Sequence, residues 1–250
     1  VHFNRAVELA KKIPGWEEGH AKGLDDLANL DLSLGDFRSA KDLYTQALKL
    51  REKMQGEETG ELHANLHNLG IVFQRLGDNE RAEEFLRRNL ELTQQATNGK
   101  GVIYAHSLET LAYFHSQTAN PQEAERRYRG AISAYRLAGA ASPATADYAR
   151  TVNNLGFLLA EQGKLSQAEP LLIQALEIRQ QILGSKHLEY ADGLEDAALL
   201  YLAKNDRPKA LEYIEESLNI SQFHLDLAAN VQSERQQLSL SALFRKRLDI

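Results

Sequence analysis

Residues 62–92 read LHANLHNLGIVFQRLGDNERAEEFLRRNLEL, and this stretch decides the fold. Its first half places Leu62, Leu66, Leu69, Val72, Phe73 and Leu76 three or four residues apart, the period of one apolar stripe along an α-helix. Its second half repeats the pattern with Ala82, Phe85, Leu86, Leu90 and Leu92. Between the two lies Leu76-Gly77-Asp78. Glycine accepts the left-handed backbone that closes a helix, and aspartate accepts hydrogen bonds from the free amides that open the next one. The stretch therefore reads as a helix, a tight bend and a second helix, each apolar on one side.

Outward from this stretch, the bend recurs as Gly35, Gly77, Ala119, Gly163 and Asn205, at steps of 42, 42, 44 and 42 residues. Five residues after each bend stands an alanine: Ala40, Ala82, Ala124, Ala168, Ala210. Seven residues before it stands another small residue: Ala28, Gly70, Ala112, Gly156, Ala198. A third series runs Ala47, Asn89, Ala131, Ala175, Ser217, each followed by Leu or Ile. Four position classes held in phase over five copies define a repeat. The small residues mark where the two helices of a hairpin approach closely, because a larger side chain there would strain the core by about 1–3 kcal/mol. Tyr44, Phe85, Tyr128, Leu172 and Ile214 are expected to fill the space between hairpins. One hairpin cannot bury its own apolar face, so the copies must stack.

These positions resemble the tetratricopeptide repeat. Its usual unit is about 34 residues, and the longer unit of this chain is similar to the repeats of kinesin light chains. The likeness lies in Leu48-Lys49-Leu50-Arg51-Glu52-Lys53 followed by Asn65-Leu66-His67-Asn68-Leu69-Gly70, and again in Thr151-Val152-Asn153-Asn154-Leu155-Gly156 and Ala175-Leu176-Glu177-Ile178-Arg179. The resemblance implies an all-α, right-handed superhelical solenoid of helix-turn-helix repeats. The array is read as residues 1–228: a partial second helix at 1–13, then five repeats at about 18–56, 60–98, 101–138, 144–184 and 187–223. The connection through Ala138–Pro143 is two residues longer, and a change of pitch is expected there. Residues 229–250 are read as a C-terminal capping or linker helix, with Leu238, Leu243 and Phe244 covering the last hairpin. Around Ala228–Leu238 this tail also resembles the segment that joins long tetratricopeptide arrays to a caspase-like CHAT protease domain in bacterial proteins. The chain starts at Val1 and reads as a fragment of a longer protein.

In such arrays the resemblance implies that the first helix of each hairpin lines the inner wall. Counting from the small residue then places Lys22 and Asn29, His67, Asn68 and Arg75, His106 and Tyr113, and Arg150, Asn153, Asn154, Phe157 and Glu161 on that wall as candidate partner-binding residues. The mixture suits an extended peptide. An asparagine amide both donates and accepts, so Asn68 and Asn154 can bridge a partner backbone; the alternative is that they bond only neighbouring helices. Arg75 and Arg150 suit acidic groups, and Tyr113 and Phe157 suit apolar anchors.

Composition narrows the function. The chain has 250 residues, 43% hydrophobic and 26% charged, with a net charge of −6, which disfavours general nucleic-acid binding. Arg126, Arg127 and Arg129 are interleaved with Glu123 and Glu125, the pattern of a solvated helix face. The absence of cysteine removes disulfides, thiolate metal sites and a cysteine nucleophile within these residues. No apolar run approaches the roughly 20 residues of a membrane span. His63 and His67 share a helix face, but Ala64 stands where a zinc protease motif needs glutamate. Gly99-Lys100-Gly101 lacks the rest of a phosphate loop, and Glu57-Glu58 and Glu215-Glu216 read as solubility residues. The expectation is a non-catalytic, cytoplasmic scaffold that binds a peptide or protein, without cofactor, metal, nucleic acid or membrane. Two further readings are a regulatory arm of a caspase-like protease and a kinesin-light-chain-like cargo adaptor.

Overall fold

The computed structural model describes residues 15–54, 59–139 and 145–248, the side chains of 59, 60 and 230–248 excepted. Among the described residues there are ten helices and no strand: α1 (Glu17–Ser33), α2 (Phe37–Lys53), α3 (Thr59–Arg75), α4 (Asn79–Thr97), α5 (Val102–Gln117), α6 (Pro121–Leu137), α7 (Ala146–Glu161), α8 (Leu165–Leu183), α9 (Leu188–Ala203) and α10 (Arg207–Leu248). They pair as hairpins. Three hairpins, α1/α2, α3/α4 and α5/α6, lie in one compact unit, Val1–Pro143, and two, α7/α8 and α9/α10, in a second, Ala144–Ile250. Within the first unit α2 packs on α3 and α4 on α5; within the second α8 packs on α9. The expected partial helix at 1–13 and most of the longer connection, with its change of pitch, lie outside the described residues.

The bends share one construction. The residue at each bend has positive φ: 79° at Gly35, 80° at Gly77, 55° at Ala119, 74° at Gly163 and 63° at Asn205. The amide after it reaches back to close the helix, as in Asp36 to the Asp31 carbonyl (2.9 Å), Asp78 to Phe73 (2.9 Å), Asn120 to His115 (3.0 Å), Lys164 to Leu159 (2.9 Å) and Asp206 to Tyr201 (2.8 Å). This is a Schellman closure. In the first two bends the aspartate then caps the next helix: Asp36 accepts from the Ser39 amide (3.1 Å) and Asp78 from the Arg81 amide (3.2 Å).

Close approach explains the small residues. A Cβ on Gly70 would stand 2.4 Å from Leu86 Cδ2, and one on Gly156 would stand 2.8 Å from Leu172 Cγ. Tyr44, Tyr128 and Leu172 are buried as expected. In the second hairpin Leu86 takes the buried place expected of Phe85. Phe85, one residue off register, is half-buried and stacks on Phe73 at 5.3 Å. Ile214 is also half-buried. Residues 229–248 continue α10 without a break; the side chains of Leu238, Leu243 and Phe244 lie outside the described ones.

Candidate functional site: exposed faces of the first helices

The first helices of each unit lie beside one another, α3 against α5 and α7 against α9. Their apolar stripes are consumed in the hairpin cores. What they present outward is a second stripe at the same helical period.

In the first unit this stripe is polar. Lys22 and Asn29 are exposed on α1, and Arg75 is exposed at the end of α3. Asn29 Oδ1 accepts from the Tyr44 hydroxyl (2.5 Å) and lies 3.4 Å from Asn68 Nδ2, so the predicted Asn29 and Asn68 come together between α1 and α3. Burial, with the Asp25 carboxylate nearby, pushes the Tyr44 phenol up to about 12. His67 Nδ1 lies 3.4 Å from Thr110 Oγ1, which ties α3 to α5. Burial, then repulsion from His63 and His106, pushes His67 down to about 4. His63 is half-buried, its Nδ1 2.6 Å from Asn89 Oδ1, and burial lowers its pKa too. Its ring centre is 6.3 Å from that of His67, and the ring of His106 lies edge-on to Tyr135. Tyr113 is exposed on α5. No group of three or more His, Asp or Glu side chains is placed to hold a metal ion among the described residues.

In the second unit the stripe is apolar and acidic. Arg150, Phe157 and Glu161 are exposed along α7 with Asn154 half-buried among them, and Asp192, Glu195, Leu199 and Leu202 are exposed along α9. Arg150 Nη1 pairs with Asp147 at 2.9 Å. Asn153 is not on this surface. It is buried, donates from Nδ2 to Asp196 Oδ2 (2.6 Å) and lies 3.4 Å by Oδ1 from Arg179 Nη1. Its geometry is that of a joint between α7, α8 and α9.

That joint belongs to a set of buried polar positions that the hydrophobic period conceals. Sixteen residues after the bend stand Arg51, Thr93 and Arg179, all buried. Arg51 Nη1 lies 2.6 Å from Asp25 Oδ2, and its Nη2 lies 3.3 Å from Glu18 and 3.6 Å from Glu61. Asn65, fully buried on α3, donates to Asp25 Oδ1 at 2.7 Å and to the Tyr44 carbonyl at 3.2 Å. Thr93 donates to Ser107 Oγ at 3.1 Å. A polar residue recurring in register where its neighbours are apolar is the one signal that could have exposed these joints in the sequence.

The architecture is that of a helical-repeat protein whose exposed helix faces carry its candidate binding residues. A tetratricopeptide repeat profile matches residues 61–136 and 147–222, and a second matches residues 21–54; the chain belongs to the tetratricopeptide repeat family. No curated protein matches it by sequence. Among solved structures it is similar to BtubC (BKLC) from P. vanneervenii, with 23% identity over 89% of each chain and a TM-score of 0.78. It is also similar to a putative kinesin light chain from Podosopora anserina with nearly identical TPR-like repeats, at 19% identity over 82% of this chain and 96% of that one, TM-score 0.70. A third similarity is to a Rap protein in complex with competence and sporulation factor, at 15% identity, 88% of this chain and 58% of that one, TM-score 0.66. At these identities the likeness concerns the fold: an all-α tetratricopeptide solenoid with kinesin-light-chain-like neighbours.

Proposed function

We propose that this chain is a non-catalytic scaffold that captures an extended peptide or a protein segment on the exposed faces of its first helices. The observation that carries the reading is the periodic exposure of large side chains on those faces. Tyr113 on α5, and Phe157, Leu199 and Leu202 on α7 and α9, are held outward on rigid helices with polar groups alongside. Aromatic and aliphatic anchors ringed by polar residues are how interfaces concentrate binding energy. The likeness to a Rap protein solved with competence and sporulation factor supports a bound factor as the kind of partner. Of the sequence candidates, Lys22, Asn29, His67, Asn68, Arg75, His106 and Tyr113 form the contact set proposed for the first unit. Arg150, Asn154, Phe157 and Glu161 form that of the second, with Asn153 left to the joint beneath. Among the described residues no helix is long and apolar enough to cross a membrane.

The test is selection of displayed peptides on the immobilised chain, followed by affinity measurements on variants. Tyr113→Ala or Phe157→Ala is expected to weaken the selected peptides at least tenfold, about 1.4 kcal/mol, while circular dichroism stays unchanged. Charge reversal at Arg75 and Arg150 should weaken acidic peptides further. Peptides that bind equally to all four variants would overturn the reading.

A further inference from the structure

We infer that the outward face of α10 is a docking site for an amphipathic helix of the first-helix type, supplied by a partner protein. This site is independent of the peptide-binding faces proposed above.

Thirteen residues after their bends stand Leu48, Leu90, Leu176 and Leu218. Three of them are 5%, 6% and 7% exposed; Leu218 is 61% exposed. What covers the buried ones is visible. Leu176 shares a core cluster with Tyr190, Ala191, Leu194 and Ala197 of α9, the first helix of the next hairpin. Among the described residues no further hairpin covers Leu218.

A second position makes the same point with a change of chemistry. Six residues after the bend the earlier copies carry Lys41, Glu83, Glu125 and Glu169; α10 carries Leu211. This position also faces the following first helix. Glu83 lies 4.0 Å from His115 Nε2, and Glu169 accepts from the Tyr201 hydroxyl at 2.7 Å and from Lys204. Replacing the charge by leucine converts a polar rim into apolar surface. Leu225, seven residues beyond Leu218, extends the stripe, and Leu211, Leu218 and Leu225 are all exposed. A leucine where four copies hold a charge is the opposite of what a solvent-facing cap requires.

The geometry of the covered joints specifies the occupant. It is a helix with apolar residues three and four apart, as Leu66, Leu69 and Phe73 are on α3. The acidic flank of Glu212 and Glu215, both exposed, favours basic residues beside that stripe. Residues 226–248 continue α10 rather than turning back over the face. α2, α4 and α8 stop after 17, 19 and 19 residues, whereas α10 runs for 42. A second α10 is a poor fit, because it would bring the same acidic pair, Glu212 and Glu215, against its own copy.

The test uses the absence of cysteine. Gln222→Cys places a single thiol beside Leu218 on exposed helix surface. The probe is the α3 sequence, residues 59–76, tethered to the C-terminus through a Gly/Ser linker of about 60 residues. Such a linker has a root-mean-square span of about 43 Å, against roughly 45 Å back along α10 from Leu248 to Leu218. Tethering compensates for the weak helicity of a free 18-residue peptide. Alkylation of the thiol is expected to slow at least fivefold when the probe is attached, and to return to the untethered rate with Leu218→Glu. An unchanged rate, or protection that survives Leu218→Glu, overturns the proposal. So does protection that grows with protein concentration in the absence of the probe, which would make a second copy the occupant.

Discussion

The two units solve one problem in different ways. Each stacks a hairpin on the next through an arginine sixteen residues after the bend, Arg51 in the first unit and Arg179 in the second. Arg51 meets a carboxylate directly, Asp25 at 2.6 Å, with Glu18 and Glu61 behind it. Arg179 meets an amide, Asn153 at 3.4 Å, which donates in turn to Asp196, and the carboxylates of Asp196, Glu189 and Asp192 act on the cation by charge without a direct hydrogen bond to it. Burial raises the pKa of both carboxylates against the pull of these partners, and lowers that of Arg179. The difference teaches that the repeat fixes where a buried cation can stand but not how it is neutralised.

Removing the cation is the strongest way to break the comparison. Arg51→Met strands Asp25 and Asn65 in the joint, and breaking a buried pair from one side costs about 3–5 kcal/mol. Arg179→Met leaves a neutral amide facing the gap, so the cost should be nearer 1–2 kcal/mol, that of an unsatisfied buried polar group. Trp16 is the one tryptophan of the chain and stands at the start of α1, so its fluorescence reports on the first unit. Chemical denaturation followed by Trp16 fluorescence and by circular dichroism should therefore separate the two. Equal losses would mean that the direct ion pair adds nothing over the relayed one.

A smaller effect is pH. His67 and Asn153 occupy the same place, three residues before the small residue, in their respective units. The folded state holds His67 at about 4, below its ordinary 6.5, because burial and the neighbouring His63 and His106 oppose its charge. The unfolded chain then binds more protons between these values, so the contribution is full above the ordinary value and is lost as pH falls toward 4. At pH 5 the loss is about 2 kcal/mol relative to pH 7.5, with His63 adding in the same direction. His67→Asn, which installs the second unit's residue, should flatten the profile of Trp16-detected unfolding between pH 7.5 and 5. A wild-type profile already flat over that range would remove the difference claimed between the units.

The sequence revealed the hairpins because an apolar period of three and four, five left-handed bend residues and two aspartate caps all act locally. Exposure is in part legible from the same period: Tyr113 and Phe157, counted onto one wall of the first helices, are both exposed. It did not reveal Asn153 as interior. One helical step separates Asn153 from the half-buried Asn154, and only the reach of Arg179 from α8 and Asp196 from α9 draws the first amide inside. Partners brought together across helices are what a periodicity cannot count. Phe85 failed for a different reason: it stands eight residues after its bend where Tyr44, Tyr128 and Leu172 stand nine, so the repeat's own count points to Leu86, which the missing Cβ of Gly70 admits.

The mildest way to sharpen the comparison lies at the bends. The first unit closes its third hairpin on Ala119 at φ 55°, and the second closes its last on Asn205 at φ 63°, where the other three bends use glycine. Left-handed backbone costs an ordinary L-residue roughly 1–2 kcal/mol, and asparagine tolerates it better than alanine. Glycine removes that strain but adds freedom to the unfolded chain, about 0.4–1 kcal/mol in the opposite direction. Ala119→Gly should therefore stabilise the chain by up to about 1 kcal/mol, and Asn205→Gly by a few tenths at most. Ala119 is exposed and a Schellman closure needs only its backbone, so neither packing nor hydrogen bonding should change. Paired denaturation curves decide it: if Ala119→Gly destabilises, the alanine is not strained at this bend and the Asn120–His115 closure is held by the helices on either side rather than by the turn residue.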